Sequence, residues 1–414
     1  MSKNVKVIEY EQVISRGCGL DVHRDTVVAT VMGSGIKTET RTYNTTTSSL
    51  NELGEWLSSL GVTDGAMEST GIYWKPVMHV LRVYPINLIV VNARHVKNVP
   101  GRKTDKKDSE WICQLLISGL LKGSFIPPEK IQNMRDLHRY KKKLIGMQSS
   151  EKNRIIKFLE DANVKLASVV SDTSGVTATH LINGLIEGRT DLDKLISECY
   201  HKKLKSSPQQ IKEAITGRLT AHHAFILKSI QKHIKSIEEQ ITEIEKEIDK
   251  YIIDFEKEIE LLRTIPGVQK EGAIGIISEI GVDMSIFPNE HHLAAHSGMC
   301  PGNNETGGKK KSTRIRHGNK YLKATLVELA WGATRTKKSF YKAKYESMVS
   351  RRGKKKALIA IGHKILCAAY LIIKNKEEFK ELGYEYLLER KKKAKIEYLK
   401  RELKEFGYNI EKVA

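Results

Sequence analysis

The chain has 414 residues, enough for two or three domains with sizeable cores. Lysine and arginine total 70 against 49 aspartate and glutamate, a formal net charge of +21, and phosphates are the first anions to answer such a surplus because clustered Lys and Arg release condensed counterions from nucleic acid. No stretch approaches the roughly 20 apolar residues of a membrane span; the N-terminal "MSKNVKVIEYEQVISRG" lacks the apolar segment of a signal peptide; and Cys18, Cys113, Cys199, Cys300 and Cys367 form no CxxC pair, which argues against a zinc site or disulfide framework and for a reducing cytoplasm.

Residues 16–125 read as α/β. "GCGLDVH" and "DTVVATVM" are strand-like, and "GSG" at 33–35 is a hairpin turn signal. The alternating, Thr-rich "IKTETRTYN" predicts a third strand. Residues 47–60 have helical spacing, "GAMEST" is a short strand, and "YWKPVMHVLR" is a helix with Pro76 near its start. "INLIVVN" is a continuous apolar strand of the kind buried on both faces. A helix over 105–121, with Trp111, Ile112, Leu115, Leu116 and Leu120 at helical spacing, closes the unit.

Residues 130–225 are polar and helical, with a break at "ASVVSDTSGVTAT". Isoleucines, with Phe255 in one place, then recur every three or four residues from Ile226 to Ile259, ending at Leu262, with charged residues between them. This predicts a coiled-coil seam about 55 Å long, paired with another helix in cis or in trans. Pro266 and Gly267 punctuate a tight helical hairpin, and a helix starting after Gly267 would offer free backbone N–H groups to phosphate. "HHLAAH" at 291–296 has no Glu or Cys partner beside it and reads as a polar helix face rather than a metal site. The basic runs "RRGKKK" and "RKKKAK" mark the tail.

Two constellations carry chemistry. Asp21 lies in the first strand, Glu68 ends the fourth, and Asp105 and Asp108 form an i, i+3 pair at a helix start. If the first and fourth strands are neighbours, the four carboxylates converge. A divalent cation then relieves their repulsion, and hard oxygen donors favour Mg²⁺. Each acid alone is weak evidence; their placement at strand, strand end and helix face is not. Arg102, Lys103, Lys106 and Lys107 around the pair would attract the phosphate backbone. The arrangement resembles the RuvC-like branch of the ribonuclease-H-like nucleases.

The second constellation is "GMCPGNNETGGKKKSTRIRHGNKYLK", with hydroxyls at Thr306, Ser312 and Thr313. Gly307 and Gly308 permit close backbone approach, while Lys309, Lys310, Lys311, Arg314 and Arg316 could neutralise phosphates and favour an ionised hydroxyl. On local sequence alone the plainer alternative, a phosphate-binding loop without chemistry, takes precedence.

Taken together, "GLDVHRDT", "MESTGIYW" and "KTDKKD" in the first half, with "LLRTIPGVQKEGAIGIISEIG" and "FPNEHHLAAHSGMCPGNNETGGKKKSTRIRHGNKYLK" in the second, resemble the DEDD-type insertion-sequence transposases of the family called insertion sequence one-ten. The resemblance covers most of 16–120 and 260–345. It implies a site-specific recombinase of donor and target DNA, in some members guided by a structured RNA and assembled as a homo-oligomer up to a tetramer, in a bacterial or archaeal cytoplasm. It also implies metal-binding acids at Asp21, Glu68, Asp105 and Asp108 in one subunit and a nucleophilic serine from another. The serine position falls on Thr306, a departure from the family pattern, with Ser312 as the fallback nucleophile.

The expected architecture is α/β plus α. A RuvC-like domain occupies 1–125, a helical linker and coiled coil 126–260, a mostly helical C-terminal transposase domain 261–350, and a basic helical tail 351–414. The alternatives are a metal-dependent hydrolytic junction nuclease and a catalytically impaired nucleic-acid-binding relic.

Overall fold

A computed structural model describes residues 12–69, 71–92, 96, 108–201, 204–302, 304–312 and 314–408. The chain forms two compact units, 1–126 and 127–414.

The first unit is a five-stranded mixed sheet with helices on both faces. Its elements are β1 (Arg16–Val22), β2 (Thr26–Gly33), β3 (Glu39–Asn44), α1 (Thr47–Ser59), β4 (Asp64–Glu68), α2 (Trp74–Leu81), β5 (Asn87–Val91) and α3 (Asp108–Ile117). The strand order is β3-β2-β1-β4-β5. The first three strands form an antiparallel meander, turned between β2 and β3 by Gly33 and Gly35 at φ 146° and 73°. β4 and β5 run parallel to β1, after the helical crossovers that parallel strands need.

Strand alternation assigns the faces. Cys18, Leu20 and Val22 of β1 join Leu50, Leu53, Trp56 and Leu57 of α1 and Val77 and Leu81 of α2 in one buried core. Ala66 of β4 and Val91 of β5 join Trp111, Ile112, Leu115 and Leu116 of α3 in a second core on the opposite face. Gly17 and Gly19 belong to this second face. A Cβ on Gly19 would sit 2.1 Å from the Ser109 carbonyl oxygen and 2.4 Å from the Cys113 nitrogen, so α3 can lie directly on β1 only because that residue has no side chain. A buried hydrogen bond between the Thr30 and Ser109 hydroxyls, 2.8 Å long, pins the start of α3 to β2.

The second unit opens with α4 (Glu129–Asp161), continues through α5 (Leu166–Val169), α6 (Val176–Ile186), α7 (Leu192–Ser197) and α8 (Pro208–Ile215), and returns along α9 (Ala221–Ile252). The apolar seam of α9 finds its partner in α4. Four cross-pairs define the register, Asp161 with His223, Glu151 with His233, Gln148 with Glu238 and Lys141 with Glu245, and Lys130 with Asp254 continues the series into the turn that follows α9. One series of residue numbers falls as the other rises, so the helices are antiparallel. The expected continuous seam is interrupted by a 3₁₀ turn at Ile253–Phe255 before α10 (Glu256–Arg263). The short helices α5 to α8 share one buried core with the far ends of the pair, built from Leu159, Leu166, Leu181, Leu195, Ile211 and Leu227. Capping boxes at Ser207 and Thr220 satisfy the first N–H groups of α8 and α9.

Next come α11 (Lys270–Ile280), α12 (Glu290–Ser297), β6 (Asn304–Thr306), β7 (Lys309–Ser312), α13 (Lys320–Ala333), α14 (Phe340–Arg352), α15 (Lys354–Asn375) and α16 (Glu385–Glu405). By length and composition α15 could cross a membrane, contrary to the expectation that no stretch comes near this. It packs on α12, α13 and α14, and buries Ala357, Ile361, Ile365, Leu366, Ala369 and Tyr370. This is the burial pattern of a core helix.

A buried ionic hub joins α4 to α11. Glu279, 1% exposed, accepts two parallel 2.7 Å hydrogen bonds from the Arg139 guanidinium and a 2.6 Å bond from the Asn319 amide. Arg135 donates to the Ser278 and Glu279 backbone carbonyls. Burial would raise the Glu279 carboxyl, but the bonds from Arg139 and Asn319 outweigh it and hold the group below its usual range. At the other end of α11, burial of Glu271 is likewise outweighed by His138 and Lys141, and its pKa falls to about 2. Replacing Glu279 by alanine strands two arginines in a dry site and should destabilise this unit by about 3 kcal/mol, read as a lower urea midpoint. A midpoint equal to that of the native chain would show the hub to be energetically idle.

Candidate functional site

Three of the four expected acids fall on one face of the sheet, two at strand ends and one at the start of the helix packed there. Along β1, Gly17, Gly19 and Asp21 alternate onto the α3 face. Along β4, Ala66 and Glu68 do the same. Leu20 pairs with Met67 in parallel register, which brings the next residues, Asp21 and Glu68, side by side at the ends of their strands. Asp108 is the first residue of α3. That helix lies antiparallel to β1, because the Cys113 thiol donates to the Gly17 carbonyl while Ser109 lies against Gly19. The start of α3 therefore points toward Asp21. Asp21, a quarter exposed, pairs with His23 Nε2 at 3.2 Å.

Asp105, Arg102, Lys103, Lys106 and Lys107 lie outside the described residues. Among the described residues, no three His, Cys, Asp or Glu side chains stand close enough to hold a metal. Asp21, Glu68 and Asp108 are all carboxylates on one face, a residue type that suits a hard divalent cation and not a soft one.

Thr306 sits in a different kind of structure. β6 and β7 form a hairpin in which Thr306 pairs with Lys309 across Gly307 and Gly308. Both glycines have positive φ, 57° and 73°, the pattern of a two-residue type I′ turn that only glycine, asparagine or aspartate adopts readily. The Thr306 side chain is exposed at the tip, and no described residue hydrogen-bonds its hydroxyl. Lys309 and Lys311 follow it, exposed, as are Arg314 and Arg316 beyond the strand; none of the four is ion-paired to a described residue. The Lys310 side chain and Thr313 lie outside the described residues. Ser312 is half-buried, and its hydroxyl oxygen accepts from the Arg314 backbone N–H at 3.2 Å. Of the two candidate hydroxyls, Thr306 is the accessible one.

The hairpin base is anchored. Gly302 N–H donates to the Arg314 carbonyl and Arg316 N–H to that of Cys300. Gly298 and Gly318 approach so closely that a Cβ on Gly318 would lie 2.3 Å from the Gly298 nitrogen. Asn319 then caps α13, accepting from the N–H groups of Tyr321 and Leu322, while its amide reaches the buried Glu279. The hairpin tip is thus exposed, but its root joins the ionic hub.

Two of the expected features gain detail. Gly267, at φ 85°, turns its Cα against α13, where a Cβ would meet the Ala333 nitrogen at 2.4 Å. Helix packing occupies the Cα side of Gly267, and the helix whose first N–H groups were expected to meet phosphate starts three residues on, at Lys270. "HHLAAH" is also not a uniformly polar face. His296 packs against Phe287 with ring centroids 5.7 Å apart, and burial, with Arg135 nearby, lowers its pKa. Sequence reasoning passed over Glu279, although a lone carboxylate inside the apolar run "AIGIISEI" is the signature of a buried ion pair.

Two family models place the chain in the class of DNA transposases. Residues 18–164 match the transposase model of the DEDD IS110 type, and residues 259–346 match the model described as Transposase IS116/IS110/IS902 family. The two matches fall on the two constellations in their expected order, and the chain belongs to the IS110 transposase family. No curated protein matches the chain significantly. Membership of this family makes DNA its substrate.

Proposed function

We propose that the chain cuts and rejoins DNA through a covalent ester on Thr306, with Asp21, Glu68, Asp105 and Asp108 as a Mg²⁺ site on a RuvC-like domain. The observation that carries this reading is the Thr306 hydroxyl, exposed at a Gly-Gly tip and followed by lysines, within the segment matched by the second transposase model. The Oγ–H bond breaks and an Oγ–P bond forms as the bond from phosphorus to the departing strand oxygen breaks, and that oxygen takes up a proton. Attack by the hydroxyl of an incoming strand reverses the step and frees the threonine, so the phosphodiester bond energy is conserved. Bound Mg²⁺ would polarise the phosphodiester and offset its charge. Lys309, Lys310, Lys311, Arg314 and Arg316 hold the strand through its phosphates.

The same reading assigns a structured guide RNA to the remaining basic surface and a homo-oligomer, dimer to tetramer, to the active form, with the α4–α9 pair as a coiled-coil element of it. A hydrolytic alternative, with water in place of Thr306, is favoured by one observation: no described residue is placed to take the Thr306 proton.

A denaturing gel decides. The native chain is incubated with Mg²⁺, cognate DNA and RNA transcribed from the element's flank. A protein–DNA adduct that survives denaturation supports the covalent reading. Cut DNA with protein-free ends establishes hydrolysis instead, and intact DNA refutes both.

A further inference from the structure

Helix α13 carries a surface that the transposition chemistry does not use. Between α13 and the first turns of α15 lies an open groove of about 600 Å³, lined by Lys320, Lys323, Ala324, Val327, Trp331 and Leu358, with Glu328 at its wall. Trp331 is 42% exposed, whereas Trp56 and Trp111 are buried and Trp74 is half-buried. A large aromatic ring left this open on a helix face costs solvation unless something covers it. The Arg335 guanidinium lies over the ring, 4.8 Å from its centroid. Lys320 and Lys323 flank the groove on α13, and Lys354 and Lys355, both exposed, lie one turn before Leu358 on α15. The single acid, Glu328, is already engaged by Lys142 at 3.0 Å, so it does not cancel these cations.

An exposed indole face with a stacked guanidinium, an apolar floor and lysines on both sides is complementary to a flat aromatic ring joined to phosphates. We infer that this groove binds an unpaired base of single-stranded nucleic acid, the base stacking on Trp331 and the neighbouring phosphates meeting Lys320, Lys323, Lys354 and Lys355. Duplex DNA offers the lysines its phosphates but keeps its base faces stacked, so the groove discriminates unpaired from paired strands. The inference extends the nucleic-acid reading of this chain and stands apart from the acids and the hydroxyl, which belong to the cutting step.

The test uses the full chain and a short single-stranded oligoadenylate, without Mg²⁺, so that no cleavage enters the measurement. Oligoadenylate should quench the fluorescence of the exposed tryptophan, and Trp331→Ala should lose that quenching and bind about tenfold more weakly. Trp331→Phe, which keeps an aromatic face, should retain most of the affinity, and duplex of equal length should bind both variants as it binds the native chain. Affinity unchanged in Trp331→Ala, or lost equally for duplex and single strand, overturns the assignment. Affinity unchanged together with a smaller oligomer in Trp331→Ala would make the groove a contact between copies of this chain. Because no strand is cut, failure here leaves the Thr306 reading intact, and failure of Thr306 to form an adduct leaves this one intact.

Discussion

Thr306→Ala is expected to abolish the covalent protein–DNA adduct, with rejoining reduced on the order of a thousandfold or more, while folding and DNA binding persist. The size follows from the role: alanine leaves no oxygen to attack phosphorus, and lysines alone cannot substitute for a nucleophile. The specificity follows from the fold. Thr306 is exposed at the hairpin tip, and the turn depends on Gly307 and Gly308. The substitution should therefore cost stability no more than about 0.5 kcal/mol, typical of a surface change away from any cap or core. Thr306→Ser should keep the adduct and form it at least as fast, since losing the β-branch frees the hydroxyl to choose its rotamer. Ser312→Ala should leave the adduct in place, because the Ser312 hydroxyl oxygen accepts the Arg314 N–H and sits half-buried. An adduct that survives in Thr306→Ala and disappears in Ser312→Ala would move the nucleophile to β7.

The second large effect belongs to Asp21. Asp21→Ala should suppress strand cleavage by about a thousandfold or more and yet leave the first unit as stable as before, or slightly more stable, without divalent cation. The two signs differ for one reason. Asp21 is beside Glu68 by strand register and faces the start of α3, which begins with Asp108. If these acids share a cation as proposed, removing Asp21 takes one ligand from the site, and it also takes one negative charge from beside Glu68 when no cation is bound. Thermal melts with and without Mg²⁺ separate these contributions. Mg²⁺ should raise the melting temperature of the native chain and not that of Asp21→Ala. Cleavage at the native rate by Asp21→Ala would remove the acids from the mechanism.

Much of the first unit was legible because its signals are local. The strands of 16–91 announce themselves by apolar runs and by the turn at Gly33 to Gly35, and the structure has the first and fourth strands as neighbours. The two glycines of "RGCGLDV" carried no signal of their own within a strand-like run. Their purpose, to admit α3 onto β1, appears only when the helix is in place. In the second unit the isoleucine seam was plain, but its partner was not. α4 is charged along much of its length, and its inward side includes Lys141 and Glu151, polar residues that become interior only through cross-pairs with α9. Burial of charge depends on a partner far away in sequence, which no periodicity reports. Thr306 and Ser312 were equal as hydroxyls on local sequence, and only the family resemblance put Thr306 first. The type I′ hairpin separated them by exposing one and employing the other.

The antiparallel pair of α4 and α9 has a mechanical corollary. At 1.5 Å per residue the 32 residues of α9 extend for about 48 Å, with the cluster of α5 to α8 mounted at one end. Cross-pairs recur from Asp161–His223 to Lys130–Asp254, so neither helix can slide along the other without breaking all of them together. The pair behaves as a strut of fixed length rather than a hinge. Its reach is written in residue number, and natural or engineered changes to it have to arrive as matched insertions or deletions in both helices.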